Sequence, residues 1–245
     1  MNKELEEEII KDVRRDPIRL RDVEEQTEAI CLAAVDVRGY ALEYVKDQTE
    51  AICSLAMEQD GNALKYVKNQ TEEICLKAIN QYLDAFKYVK NKTKKICLEA
   101  VNMDGEMLKY IDDQTEEICL AAVKSNLHAF MYVKRQTENL CLEAVKQSKY
   151  YVRYVKNRTE RVYLEVFKDN FDVLSVLNIN DKKIALVALK ASLLHKNKDK
   201  KVLNEIIKKY NKDQEIVDFY TKNKLWKYVD LSNLKDLSAK YGMLM

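Results

Sequence analysis

A threonine returns every 22 residues, as Thr27, Thr49, Thr71, Thr93, Thr115, Thr137 and Thr159. Four residues after the first six stand Cys31, Cys53, Cys75, Cys97, Cys119 and Cys141. Five residues before the last six stand Tyr44, Tyr66, Tyr88, Tyr110, Tyr132 and Tyr154. A register kept over that many periods marks a repeat architecture, in which each copy buries its apolar face against its neighbours. Tyr163 and Ala185 fill the cysteine slot of two later copies, and Asp181 fills the threonine slot of the last. Ile9, Ile10 and Val13 occupy the matching slots of an N-terminal half copy. Eroded ends are expected of a solenoid, whose terminal copies face water on one side.

Each copy reads as two short helices. Thr71 is an N-cap residue whose hydroxyl can accept an early backbone N–H. Glu72 and Glu73 follow in the first turn, where the helix dipole favours acids. Ile74, Cys75, Leu76, Ala78 and Ile79 then form a wide apolar face. The chain turns at Asp60-Gly61, at Asp104-Gly105 and, in variant form, at Arg38-Gly39. The other helix, "NALKYVKN", offers Ala63, Leu64, Tyr66 and Val67 to the core, with Lys68 near its C-terminus.

A competing geometry exists. Twenty-two is twice eleven, and an 11-residue repeat can build one long right-handed supercoiled helix. The glycines at the turns and the width of the apolar band argue against it. One proline and four glycines in 245 residues leave few breakers, which suits an all-helical chain. The expectation is an all-α fold, an α-solenoid of about eight 22-residue helix-turn-helix repeats with a helical C-terminal cap. Residues 1–16 would be an N-terminal capping helix, 17–189 the solenoid and 190–245 the cap.

The pattern "ALKYV" (63–67) followed by "EEICLKAI" (72–79) carries a family resemblance. Residues 17–189 resemble the tandem short-helix repeats of unknown function found in proteins of large DNA viruses, phages and some intracellular bacteria. The resemblance implies helical-repeat architecture and an interaction role. It brings no catalytic residues with it.

The cysteines invite a metal or redox reading. Helices in contact lie about 8–10 Å apart, whereas a disulfide needs Cα atoms within about 7 Å. A zinc site needs several ligands converging on one point. A 22-residue ladder fits neither, and the Tyr163 and Ala185 replacements dispense with sulfur. The cysteines are therefore expected to be small buried packing residues. The tyrosines could stack bases, as helical-repeat RNA readers do, but buried rings with their hydroxyls at the rim are the expectation. His128 and His195 have no ligand partners at metal spacing. No metalloprotease helix, nucleophile elbow or phosphate loop is present. The expectation is a protein that is not an enzyme and holds no cofactor or metal.

"MNKELEEEII" is acidic and unlike a targeting signal. No run approaches the roughly 18 apolar residues of a membrane span. Six cysteines without a secretory signal point to a reducing cytoplasm.

Two kinds of exposed position remain. Six and three residues before each threonine the sequence is mostly basic, including Lys65, Lys68, Lys87, Lys90, Lys109, Lys134, Arg153 and Lys156. This basic ridge could bind phosphates, or it could be a solvated face matched to helix dipoles. An acidic column follows each threonine, with Glu28, Glu50, Glu72, Glu116, Glu138 and Glu160, interrupted by Lys94. The turn tips vary most between copies and present Arg38, Tyr40, Tyr82, Leu83, Met103, His128, Tyr150 and Phe171. Aromatic residues, Met and Arg are favoured at protein interfaces. Residues 181–245 carry 15 Lys against 8 acids, so basic charge gathers at the C-terminal end.

The functional expectation is a non-catalytic protein-binding scaffold, in a viral setting one that binds a host defence protein. The alternative is a nucleic-acid-binding solenoid using the lysine ridge and the basic C-terminal region. Homo-oligomerisation stays open.

Overall fold

The structure is a computed structural model. It describes residues 2–168, 177, 181–194 and 200–228, apart from the Trp226 side chain. The chain forms two compact units, Met1–Lys134 and Arg135–Met245. All regular elements among the described residues are helical.

In the first unit α-helices alternate with 3₁₀ helices. Helix α1 spans Lys3–Arg15 and η1 Pro17–Asp22. Then come α2 (Glu28–Val37), η2 (Gly39–Tyr44), α3 (Glu50–Gln59) and η3 (Gly61–Tyr66). After them come α4 (Glu72–Gln81), η4 (Leu83–Tyr88), α5 (Lys94–Met103), η5 (Gly105–Tyr110), α6 (Glu116–Ser125) and η6 (Leu127–Tyr132). Each α-helix packs on the next, and each 3₁₀ helix on the next, so the stack is the repeat solenoid the 22-residue period predicts. The single long helix is not formed.

The local chemistry sets the boundaries. In every copy from Thr27 to Thr115 the threonine hydroxyl accepts the N–H three residues on, as Thr71 does from Ile74 at 3.2 Å. Ten residues of α-helix then end at one extended residue. Arg38, Asp60, Tyr82, Asp104 and Asn126 all have φ near −150°. Each still donates its N–H to the alanine carbonyl four residues back, and each begins the 3₁₀ helix. Asp60, Asp104 and Asn126 cap that helix with their own side chains, for example Asp104 to Glu106 N–H at 2.9 Å. Six residues then turn more tightly than an α-helix would, as 3₁₀ geometry permits for short pieces.

The turn glycines serve proximity. The one non-glycine residue with positive φ among those described is Lys224, and no turn glycine adopts that region. A Cβ on Gly39 would lie 2.7 Å from the Ala56 carbonyl, and on Gly61 or Gly105 it would collide with Ala78 or Ala122 backbone.

The core is a ladder of equivalent residues. Ile74, Cys75, Ala78 and Ile79 from α4 and Ala63, Leu64 and Val67 from the η3 side are all buried. Each fully buried aliphatic side chain of this size contributes about 1.5–3 kcal/mol.

The second unit repeats the motif in α7 (Glu138–Gln147), η7 (Lys149–Tyr154) and α8 (Glu160–Val166). Then follow α9 (Lys182–Leu194), α10 (Lys200–Tyr210), α11 (Gln214–Lys222) and a short 3₁₀ turn at Leu225–Tyr228. Tyr163, in the cysteine slot, is buried and stacks on Phe167 with ring centroids 6.3 Å apart. Asp181, in the threonine slot, precedes α9, but its Oδ1 accepts the N–H two residues on, from Lys183 at 2.9 Å. Helix α9 runs without a break past residue 189 to Leu194.

Candidate protein-binding face

The polar columns fall into two classes, those spent inside the stack and those left at its surface. The glutamine preceding five of the seven threonines belongs to the first. Gln70 Nε2 donates to the carbonyls of Leu64 and Tyr88, and its Oε1 accepts Lys90 N–H at 2.9 Å. One side chain thus ties η3 to η4. Gln26, Gln48 and Gln114 repeat the arrangement within the first unit. The sequence reading overlooked this column, although glutamine at 26, 48, 70, 114 and 136 keeps the 22-residue register, broken only by Lys92 and Arg158.

The cysteines complete this arrangement. Cys31, Cys53, Cys75 and Cys119 donate their thiols to the neighbouring Gln Oε1 at 3.7–3.9 Å. All six cysteines are free and buried. Burial pushes every thiol up from its ordinary pKa, so each stays protonated and unreactive. No group of three or more His, Cys, Asp or Glu suited to a metal ion occurs among the described residues.

The acidic column is also partly spent. Thr49 Oγ1 donates to Glu28 at 2.7 Å, and Thr93 Oγ1 to Glu72 at 2.6 Å. The Thr93 hydroxyl first, and Lys95 second, hold the Glu72 carboxyl below its usual range.

The basic ridge divides in two. Three residues before the threonine, lysine reaches back one copy. Lys68 Nζ donates to the carbonyls of Val45 and Lys46, Lys90 Nζ to those of Val67 and Lys68, and Lys134 Nζ to the carbonyl and carboxylate of Asp112. These lysines close the C-terminal ends of the preceding 3₁₀ helices, where orphan carbonyls and the dipole favour a cation. Lys156, in the second unit, donates its backbone N–H to Gln136 Oε1 at 2.9 Å.

Six residues before the threonine, the cation sits on the adjacent tyrosine. Lys65 Nζ lies 4.6 Å from the Tyr66 ring centroid and 4.8 Å from that of Tyr40. Lys87 lies 5.4 Å from the Tyr88 ring and Lys109 5.1 Å from the Tyr110 ring. In the second unit Arg153 lies 5.8 Å from the Tyr154 ring. Lys87 and Lys109 also pair with Asp84 and Glu106 at 3.5 and 3.8 Å.

The tyrosines of this column depart from the expectation of burial. Tyr44, Tyr66 and Tyr88 are half-buried, and Tyr110, Tyr132 and Tyr154 are 42, 39 and 41% exposed. The reason is the 3₁₀ helix. At three residues per turn, the tyrosine that ends it does not share the inward stripe of Leu64 and Val67. Cation–π contact at an exposed ring is worth about 0.5–1 kcal/mol and holds the ring in place.

The turn tips meet this face at one end. Tyr40 packs edge-on against Tyr66, centroids 5.8 Å apart. Arg38, Tyr40, Tyr44 and Tyr66, with Pro17 and Ile18, line a shallow pocket of about 250 Å³. Among the other tips, Tyr82 and Met103 are well exposed, His128 is exposed, and Leu83 folds half under its neighbours. Tyr150, in the second unit, is exposed and its carbonyl accepts Arg153 Nε at 3.1 Å. Phe171 and His195 lie outside the described residues.

No described helix is long and apolar enough to cross a membrane. A family model described as a domain of unknown function (DUF4116) matches residues 93–136. The match is 44 residues long, two periods of the repeat, so what it is similar to here is a pair of copies. No curated protein and no solved structure matches the chain.

Proposed function

We propose that the protein is a non-catalytic protein-binding scaffold, and that its recognition surface is the face built by the 3₁₀ helices of the first unit. The observation that carries this reading is the row of exposed and half-exposed tyrosines, with Tyr40, Tyr66, Tyr88 and Tyr110 steadied by lysines, beginning at the pocket between Arg38, Tyr40, Tyr44 and Tyr66. Met131 and Tyr132, 52 and 39% exposed, extend it. Rigid aromatics, Met and basic groups on a fixed backbone are what protein interfaces favour.

The resemblance to repeats of large DNA viruses and phages takes the proposal one step further. The partner is a host protein met in the host cytoplasm, a defence factor whose action the scaffold blocks. Nucleic acid is the second reading. It draws on Lys65, Lys87 and Lys109 and on the basic C-terminal region. The engagement of Lys68, Lys90 and Lys134 with backbone carbonyls, and of Lys87 and Lys109 with acids, leaves less free positive charge than the sequence alone suggests.

The test is a nuclease-treated pull-down from lysate with the full chain, compared with a Tyr66→Ala/Tyr88→Ala/Tyr110→Ala variant checked for helicity. A captured protein that the variant fails to retain supports the proposal. Capture that nuclease abolishes, with a steep loss between low and moderate salt, replaces it with the nucleic-acid reading.

A further inference from the structure

The joints between copies in the first unit are not equal. Taking each copy as an α-helix with the 3₁₀ helix that follows it, three devices hold neighbouring copies together: the glutamine tie, the lysine clamp and close approach at the turn. At the joint between α3–η3 and α4–η4 all three are present, as Gln70, Lys90 and Gly61. The joint before it has Gln48, Lys68 and Gly39, and the joint between α5–η5 and α6–η6 has Gln114, Lys134 and Gly105.

The joint between α4–η4 and α5–η5 lacks all three. The glutamine slot holds Lys92, whose Nζ turns back to Val89 O, three residues away, at 3.0 Å. The lysine slot holds Asp112, which makes its ion pair with Lys134 on the far side. The glycine slot holds Leu83, so the joint lacks the residue whose missing Cβ allows the close backbone approach at Gly61 and Gly105. The packing follows the chemistry: α5 lies less extensively against α4 and η4, and η5 against η4, than their counterparts in the neighbouring copies. Besides this reduced packing, the joint is crossed by the Thr93–Glu72 hydrogen bond and the Lys95–Glu72 ion pair at 3.3 Å.

We infer that the first unit carries a built-in joint at residues 89–93, about which the copies up to η4 and those from α5 onward open and bend as two blocks. A solenoid's stability is a sum of copy stabilities and nearest-neighbour terms, so one depleted interface divides it into separately opening parts. Three coincident departures at a single interface, with consensus residues on both sides, make the division a property of this place. In function, such a joint lets one half of the 3₁₀ face adjust to a partner that the other half already holds.

Amide hydrogen exchange on the full-length chain tests this. The Lys68, Lys90 and Lys134 amides donate to glutamine, and Asp112 stands in the same slot opposite Lys92, which has no acceptor amide to offer it. Corrected for intrinsic rates, Asp112 should exchange at least about tenfold faster than Lys68 and Lys90. Under rising urea, peptides from α3 and α4 should lose protection at a different concentration from peptides of α5 and α6. In a Leu83→Gly/Lys92→Gln/Asp112→Lys variant the two concentrations should converge. Should that variant fail to fold, Lys92→Gln alone should slow Asp112 exchange and draw the two concentrations together. Simultaneous opening in the unaltered protein, or two steps that the substitutions leave in place, overturns the inference.

Discussion

Gln70 Nε2 donates to the carbonyl of Tyr88, eighteen residues on, at 3.1 Å, and so joins two copies through a polar side chain. The same amide holds Leu64 O, and its oxygen takes Lys90 N–H. One residue thus answers three backbone groups of a half-buried seam, of which Leu64 O also accepts the Val67 N–H at 3.1 Å. Gln70→Ala removes all three bonds. We expect a loss of about 1–3 kcal/mol in urea denaturation, the usual cost of unpaired buried polar groups. A loss under about 0.5 kcal/mol would mean that water replaces the tie without penalty.

Gly105→Ala tests the closeness of the turn. The added methyl would collide with the Ala122 backbone carbonyl, and backbone cannot swing aside as a side chain can. The expected destabilisation is about 1–3 kcal/mol, the range for overpacking. Because φ is not positive here, the cost is steric, and Gly105→Asn should do no better than Gly105→Ala. Rescue by asparagine would show that conformation, not space, selects the glycine.

Lys68→Ala and Lys87→Ala separate the two halves of the basic ridge. Lys68 clamps two carbonyls of the preceding copy, whereas Lys87 rests on Tyr88 beside Asp84. Lys68→Ala should lower the urea midpoint more than Lys87→Ala. If the two are equal, the clamp contributes nothing beyond a surface charge.

The cysteines make stability fall in alkali. Burial raises every thiol pKa in the folded chain, so unfolded thiols, near their ordinary value of about 8.5, lose protons first. The folded state then binds more protons than the unfolded one, and stability decreases as pH rises. It is full below about pH 8.5 and declines from there upward. Urea midpoints measured on either side of that pH should fall, and less steeply in a Cys53→Ala/Cys75→Ala/Cys119→Ala variant. An unchanged slope in that variant would assign the decline to other groups.

Much of the architecture was legible in the chain. Threonine N-caps, acids in the first turn and a fixed apolar slot act within a few residues of one another, so they survive any tertiary arrangement. Repetition then carried the local reading over the whole stack, since a copy that cannot bury its face alone must stack on its neighbours. The cysteines were legible for the same reason, as small residues at one recurring buried slot.

What only the tertiary structure decided concerns partners 18 to 23 residues away. Gln70 reaches Tyr88 and Lys68 reaches Lys46 because stacking brings those carbonyls alongside, and nothing in a single copy announces it. The six-residue helix likewise became 3₁₀, because the extended residue at its start and the fixed 22-residue spacing leave room for a tighter turn only. That choice rotated Tyr66 and Tyr110 off the core and onto the surface, where the sequence pattern had placed buried rings. Lys92, Asp112 and Leu83 are ordinary residues when read one at a time along the chain. They become one feature because stacking sets all three slots on the same interface.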